Sequence, residues 1–259
     1  MAKKQIANLD AKVTPIDADN LLLADSADSN KWKKFSFASL RTWVTTFFTA
    51  FKAADNTFTG ANVFPTMNIG SGNTVSGVGA MAQGEDCTAS ATGAHAEGGG
   101  TASAKCAHAE GGASEARLNY QHAQAGGKFA VVGDAQDTKI IQHKETTDAT
   151  PVECLTLESE RYVLPAGYIM ACTVSINGSN VDGSVTGFYK RQALIKNVAG
   201  AVALIGSVQT IGTDITIGAI GGIAITADDA NDSLKVEVTG KADETIRWVC
   251  VIDALEVGH

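Results

Sequence analysis

Between residues 81 and 125 one tetrapeptide returns four times on a nearly fixed period, and few folds can absorb such a repeat. It reads Met81-Ala82-Gln83-Gly84, His95-Ala96-Glu97-Gly98, His108-Ala109-Glu110-Gly111 and His122-Ala123-Gln124-Ala125, with starts 14, 13 and 14 residues apart. A second register runs beside it, with Thr88-Ala89-Ser90 matched by Thr101-Ala102-Ser103 and, loosely, by Ala113-Ser114. Self-similarity of this kind means stacked supersecondary units. A short period with Gly at the corners predicts two short strands and two turns per unit, one coil of a β-roll or β-prism. Alternation sets Ala94 and Ala96 on one face and His95 and Glu97 on the other. An interior of Ala buries little apolar area at roughly 25 cal/mol/Å². Other copies of the chain are therefore expected to supply the missing packing, and the repeat is not expected to be monomeric.

The repeat sits between two regions of different character. Residues 1–60 read as a small mixed α/β module, with Leu21-Leu22-Leu23, a turn-rich Asp25–Asn30 and a short strand at Trp32–Phe35. Ser36 is placed to cap a helix over 37–53. Phe37, Leu40, Val44, Phe47, Phe48 and Phe51 fall within about a 100° arc of that helix, opposite Thr42, Thr45, Thr46 and Thr49. The stripe serves either as the module's own core or as a face that docks a partner or further copies of the chain.

Residues 61–127 are rich in Gly, Ala, Ser and Thr, and large apolar residues nearly vanish after Phe64. Residues 128–259 turn apolar and strand-rich. Strands are predicted at 152–157, 168–176, 185–195, 201–208, 215–225, 234–238 and 245–257, with turns such as Asn177-Gly178 and Asp182-Gly183. The run Ile246–Ile252 is apolar on both faces, as a central strand or a subunit contact would be. Seven strands in this length predict a C-terminal β-sandwich, jelly-roll-like. The expected organisation is an N-terminal module (1–60), a repeat shaft (61–127) and a sandwich domain (128–259), mainly β throughout.

Composition narrows the function. The 259 residues carry 28 acids against 20 bases, a formal charge of −8. An acidic chain with scattered bases repels phosphate backbones, so nucleic-acid binding is not expected. Cys87, Cys106, Cys154, Cys172 and Cys250 are an odd set with no CxxC, which argues against a disulfide framework or a zinc knuckle. The start, MAKKQIANLDAK, has no apolar core of a secretory signal, and no run is long enough to span a membrane. A soluble chain made in a cytoplasm is the expectation.

His95-Ala96-Glu97 and His108-Ala109-Glu110 match the H-x-E half of a zinc deaminase site, but the P-C-x-x-C that completes its zinc shell is missing. A stacked ladder of His95, His108 and His122 beside Glu97 and Glu110 would instead hydrogen-bond between coils, or trap a metal where symmetry copies meet. Gly126-Gly127-Lys128 ends like a P-loop, yet Phe129 stands where Ser or Thr is required and His122 where the first Gly belongs. Asp228 with Asp229, and Glu158 with Glu160, are carboxylate pairs on paper, of the kind glycoside hydrolysis needs. Acids adjacent in turns read more simply as solvated loops. No cofactor, no metal site and no enzyme activity are expected.

Three stretches resemble bacteriophage tail fibre and virion appendage proteins. Asp17–Asp25 followed by Lys33–Leu40 resembles the module that opens many phage fibres, which ends near a sequence like Asp55–Gly60. The Ala-His-Ala-Glu-Gly repeats resemble those of phage appendages and of trimeric autotransporter adhesin heads. Ala227–Val257, with Asn231–Gly240 and Thr245–Val249, is similar to the terminal β-domain of many phage fibres. The adhesin reading lacks a secretion signal and a membrane barrel. The resemblance implies a homotrimer in the virion, anchored to tail or head proteins by its N-terminal module and touching a host-surface receptor, protein or glycan, through its C-terminal domain. Two alternatives stand beside it: an adaptor that holds another virion protein, and a fibre that cleaves polysaccharide or processes itself.

Overall fold

The computed structural model describes residues 20–25, 31–36, 38, 40–42, 44–46, 58–59, 61–62, 66–157 and 159–259. Among the described residues the chain is mainly β, 57% strand and 5% helix. It divides into two units, Met1–Phe64 and Pro65–His259. In the first, β1 (Asn20–Asp25) pairs antiparallel with β2 (Lys31–Ser36), placing Leu22 opposite Lys34. A helical stretch follows, in which Leu40 and Val44 are half-buried while Arg41, Thr42, Thr45 and Thr46 are exposed. Phe37, Phe47, Phe48 and Phe51 lie outside the described residues. A minimal hairpin of β3 (Phe58–Thr59) and β4 (Ala61–Asn62) ends the unit.

The second unit begins as a β-solenoid of about four turns. One parallel ladder stacks β5 (Thr66–Ser71), β7 (Ala80–Glu85), β9 (His95–Glu97), β11 (His108–Gly112) and β13 (His122–Gly126). The other stacks β6 (Thr74–Val75), β8 (Thr88–Ala89), β10 (Thr101–Ala102) and β12 (Glu115–Ala116). Met81, His95, His108 and His122 stand in register, as do Thr88, Thr101 and Glu115.

The expectation that other chains must fill the coils does not hold for their interior. Ala82, Ala89, Ala96, Ala102, Ala109, Ala116 and Ala123 are wholly buried within the single chain. The physical reason is distance. The two ladders approach so closely that methyl groups fill the gap, and hydrogen bonds from coil to coil, such as His95 N–H to Ala107 O at 2.8 Å, carry the stacking. Gly111 shows how tight the corners are: it lies at φ +81, and a Cβ there would fall 2.2 Å from Ala125 O.

The solenoid passes into the C-terminal region without a break in hydrogen bonding. β13 pairs antiparallel with β14 (Ala135–Thr146), which pairs along its whole length with the last strand. Next in chain order come β15 (Pro151–Glu153), β16 (Tyr162–Val163), β17 (Tyr168–Ser179), β18 (Thr186–Val198) and β19 (Ala201–Leu204). They are followed by β20 (Gln209–Thr210), β21 (Ile215–Ile217), β22 (Ile223–Asp228), β23 (Ser233–Thr239) and β24 (Ile246–Gly258). The long sheet runs β19-β18-β17-β24-β14 and on into the solenoid ladder; β15, β16 and β22 flank β23 in a second sheet.

Inward residues of both sheets share one core, with Met170, Ile176, Ile195, Trp248 and Ile252 from the long sheet and Tyr162, Leu234, Val236 and Val238 from the short one. Two expected features fall differently. Asn177-Gly178 is not a turn but lies inside β17, because a Cβ at Gly178 would sit 2.3 Å from the Trp248 ring. The expected strand 215–225 is two strands, β21 and β22, separated by a segment containing Gly218, Gly221 and Gly222.

A buried polar knot ties the last coil to this core. Glu256, on β24, accepts hydrogen bonds from Arg117 Nη2 (2.7 Å), Tyr162 Oη (2.6 Å) and Gln136 Nε2 (2.9 Å). Thr138 and Tyr162 hydroxyls bond to each other, and Gln136 also exchanges hydrogen bonds with the Glu115 backbone. Burial would lower the Arg117 pKa, but Glu256 outweighs it and holds the guanidinium charged. Burial, reinforced by Glu256, pushes the Tyr162 hydroxyl well above its ordinary value.

Candidate functional site

The outward face of the long sheet carries the site. Because β-strand side chains alternate, burying Ala96, Ala109 and Ala123 turns His95, His108 and His122 outward, and the register aligns them. The row continues beyond the solenoid. His122 stands opposite Lys139, Lys139 opposite Asp253, Asp253 opposite Thr173, and Thr173 opposite Gln192. Seven strands contribute one residue each, so at about 4.8 Å per strand the row is about 30 Å long.

Within the solenoid the row is a stack of imidazoles. His95 and His108 lie 4.4 Å apart and 4° from parallel; His108 and His122 lie 4.7 Å apart and 11° from parallel. Two residues along each strand stand the carboxylates. Glu97 Oε1 is 3.2 Å from His108 Nε2, and Glu110 Oε2 is 3.6 Å from His122 Nε2. Burial, and then the neighbouring His108, lower the His95 pKa. The five ladder residues expected from sequence are thus brought together in one chain. The helix-face residues belong to the other unit.

Beyond the ladder the face dips into two grooves that meet. One, of about 210 Å³, is lined by His122, Gln124, Asp137, Thr138, Lys139 and Asp253. The other, of about 220 Å³, is lined by Asp137, Ala171, Cys172, Thr173, Gln192, Asp253, Ala254 and Leu255. Asp137 and Asp253 line both. They are diagonal neighbours on antiparallel β14 and β24, since Asp137 faces Leu255 and Asp253 faces Lys139. Such diagonals separate Cβ atoms by about 7 Å or a little less. Lys139 Nζ holds Asp253 Oδ1 at 3.1 Å.

A wider cleft of about 480 Å³ opens at the loop end of the region, among Ser179, Asn180, Val181, Asp182, Ser184, Glu244, Thr245 and Arg247.

The carboxylates singled out from sequence do other work. Asp229 accepts the Val202 N–H, Asp228 accepts from Asn231, and Glu160 accepts the Asn119 N–H; Glu158 lies outside the described residues. The loop after Gly126-Gly127-Lys128 presents backbone N–H groups, as a phosphate cradle would, but the chain's own Asp134 takes them. Its carboxylate accepts from Phe129 (2.8 Å), Ala130 (2.6 Å) and Val131 (2.7 Å). Burial alone would raise the Asp134 pKa, yet these three hydrogen bonds hold it below its ordinary value. All five cysteines are free thiols, Cys106 exposed and the rest buried. Burial pushes Cys154 up to about 12 and Cys172 up to about 11, so neither is a nucleophile at neutral pH. Among the described residues no helix is long and apolar enough to cross a membrane.

No family model matches the chain, and no curated protein matches it in sequence. Solved structures similar to it include phage tailspikes. The tailspike protein gp49 of Acinetobacter baumannii bacteriophage Fri1, a capsular polysaccharide depolymerase, is 10% identical over 73% of this chain, with a TM-score of 0.28. The tailspike of Acinetobacter baumannii phage AM24 is 9% identical over 68%, with a TM-score of 0.27, and that of Acinetobacter phage vB_ApiP_P1 is 12% identical over 75%, with a TM-score of 0.25. The matches cover 36%, 33% and 39% of those chains, about a third of their length. The expectation that this chain is not an enzyme is corrected here: one of the tailspikes it is similar to is a polysaccharide depolymerase, and a purely non-catalytic reading is withdrawn.

Proposed function

We propose that the chain is a phage tail appendage protein whose outward sheet face binds host-surface polysaccharide, with Asp137 and Asp253 the carboxylates that carry its cleavage. The observation that supports this reading is the pair of grooves joined at those two residues. A polysaccharide presents hydroxyls and apolar ring faces in alternation. The row offers it imidazole, ammonium, carboxylate, hydroxyl and amide groups in line, flanked by Leu255 and Leu194, both exposed. A Cβ spacing of about 7 Å lets the two carboxyl groups reach the roughly 5–10 Å separation that glycoside hydrolysis uses. Asp253 is held by the Lys139 ammonium at 3.1 Å, and Asp137 stands beside it as the second carboxylate lining both grooves.

The rest of the molecule is assigned on the same basis. The N-terminal module anchors the chain to other virion proteins, as its resemblance to fibre-opening modules implies. The two-sheet region, a sandwich in layout, is the distal knob. Assembly is a homotrimer, with exposed apolar Phe188, Ile215 and Ile217 on the paired strands β18 and β21, and Val249 across β17 on β24, as the contact between copies. Mass in solution near three times 26.7 kDa tests the assembly.

The site is tested with a panel of purified bacterial surface polysaccharides. Binding and the appearance of new reducing ends are measured for the parent chain, Asp137→Asn and Asp253→Asn. The expected result is cleavage of at least one polysaccharide, abolished by either substitution while binding persists. New reducing ends that survive both substitutions would overturn the assignment of the pair. An absence of binding across the panel would count against the polysaccharide reading itself.

A further inference from the structure

Two residues on β9 and one on β11 form a ligand set that the proposed cleavage chemistry does not use. His95, Glu97 and His108 each offer one ligand atom, and the three atoms lie within 4.8 Å of one another. Glu97 Oε1 already stands 3.2 Å from His108 Nε2. A tetrahedral ion with ligand bonds of about 2.0–2.2 Å spaces its ligand atoms by about 3.3 Å, so this contact is at the right separation and the His95 ring needs only a small swing. His95 Nε2 is shut off from solvent without a hydrogen-bond partner. An orphaned polar atom of this kind calls for a partner. The ring stacks on His108, and half-exposure of the His108 and Glu97 side chains leaves room for the two rings to splay.

We propose that His95, Glu97 and His108 bind one divalent transition cation of the zinc type, with water in the remaining position. Two imidazoles and a carboxylate suit zinc, cobalt, nickel or copper rather than magnesium or calcium. The ion bridges β9 and β11 and so clamps consecutive coils of the solenoid. His108, Glu110 and His122 form an overlapping set, but it is the poorer one. His122 Nε2 is likewise shut off from solvent without a hydrogen-bond partner, but the carboxylate contact is longer, at 3.6 Å, and His122 stands opposite Lys139, whose ammonium repels a second cation. Because His108 belongs to both sets, one ion is expected per chain.

The test uses the full chain, stripped with a chelator and titrated with Zn²⁺ by calorimetry and with Co²⁺ by visible absorption. One equivalent per chain is expected for the parent and for His122→Ala, with a rise in the thermal midpoint on adding Zn²⁺. His95→Ala, His108→Ala and Glu97→Gln are expected to weaken binding by more than the roughly 10–100-fold that loss of an outer-shell partner costs. Glu97→Gln is nearly isosteric, so it decides the matter if a His variant does not fold. Binding no tighter than that of a free imidazole would overturn the site. So would binding that Glu97→Gln leaves intact, or an equal loss in His122→Ala. Polysaccharide cleavage is read separately through Asp137 and Asp253, so failure of either proposal leaves the other standing.

Discussion

The solenoid and the two-sheet region share one continuous sheet but hold themselves together by different means. Between β5 and β13 the interior is a stack of alanines, and short ladders with coil-to-coil hydrogen bonds carry the structure. Between β14 and β24 the interior holds Trp248, Tyr162, Met170 and several isoleucines, and two sheets close over it. A thin core tolerates no added volume, whereas a thick core tolerates no lost volume. The outward faces differ less: one polar row crosses both regions, because alternation is dictated by the strands and not by what lies beneath them.

The contrast is tested most severely by opposite substitutions. Trp248→Ala, at a residue only 1% exposed, is expected to cost about 3–5 kcal/mol through the cavity it leaves. Ala109→Leu, between Ala96 and Ala123 in register, is expected to cost about 1–3 kcal/mol or more through overpacking. Urea denaturation measures both. If Ala109→Leu were neutral, the solenoid interior would have slack that its fully buried alanines do not show.

Glu256→Ala probes the seam between the regions. It leaves the Arg117 guanidinium, 13% exposed, without its buried counter-charge, and breaking such a pair costs about 3–5 kcal/mol. The two regions are expected to separate into two unfolding transitions in this variant, visible as non-coincident fluorescence and circular dichroism curves. A single transition at nearly parental stability would mean that backbone pairing of β13 with β14 suffices to join them.

The same contrast decides what could be read in the sequence. The solenoid was legible because each coil repeats the same demand, small side chains inward at a fixed step, and the residues of the His–Glu ladder follow from that. Six of the seven strands expected after residue 150 were legible from apolar alternation, with shifted ends. β14 was not. Its inward residues include Gln136, Thr138 and Gln142, because it borders the polar knot, so its sequence shows no apolar period. That strand carries Asp137 and Lys139. The second carboxylate, Asp253, lies 116 residues further along the chain, and only strand pairing brings the two together. Gly178 misled for another reason: Asn-Gly usually marks a hairpin turn, but here the missing Cβ makes room for Trp248.

The smallest effect expected is an acid sensitivity confined to the thick region's rim. Arg191 holds Asp214 with two hydrogen bonds, Nη1 to Oδ1 at 2.5 Å and Nη2 to Oδ2 at 2.7 Å. The hydrogen bonds to Arg191, which outweigh the opposing effect of burial, lower the Asp214 pKa. A carboxylate whose folded pKa lies below its unfolded value of about 3.9 stabilises the fold fully above that value and loses its contribution as pH falls through the folded one. The Asp214 side chain is 34% exposed, so solvent screens the pair and its contribution at neutral pH is at most about 1 kcal/mol. Asp214→Asn should therefore be slightly less stable than the parent at pH 6, and the gap should narrow as pH falls below about 3.9, in urea melts over a series of pH values. Asp134, whose carboxylate accepts three backbone N–H groups beside the end of the solenoid, titrates in the same direction. Parent and variant should therefore both continue to lose stability below pH 4, and only the gap between them should close. A gap that widened on acidification would mean that the Arg191 pair opposes folding, and that this rim of the two-sheet region is held by its apolar contacts alone.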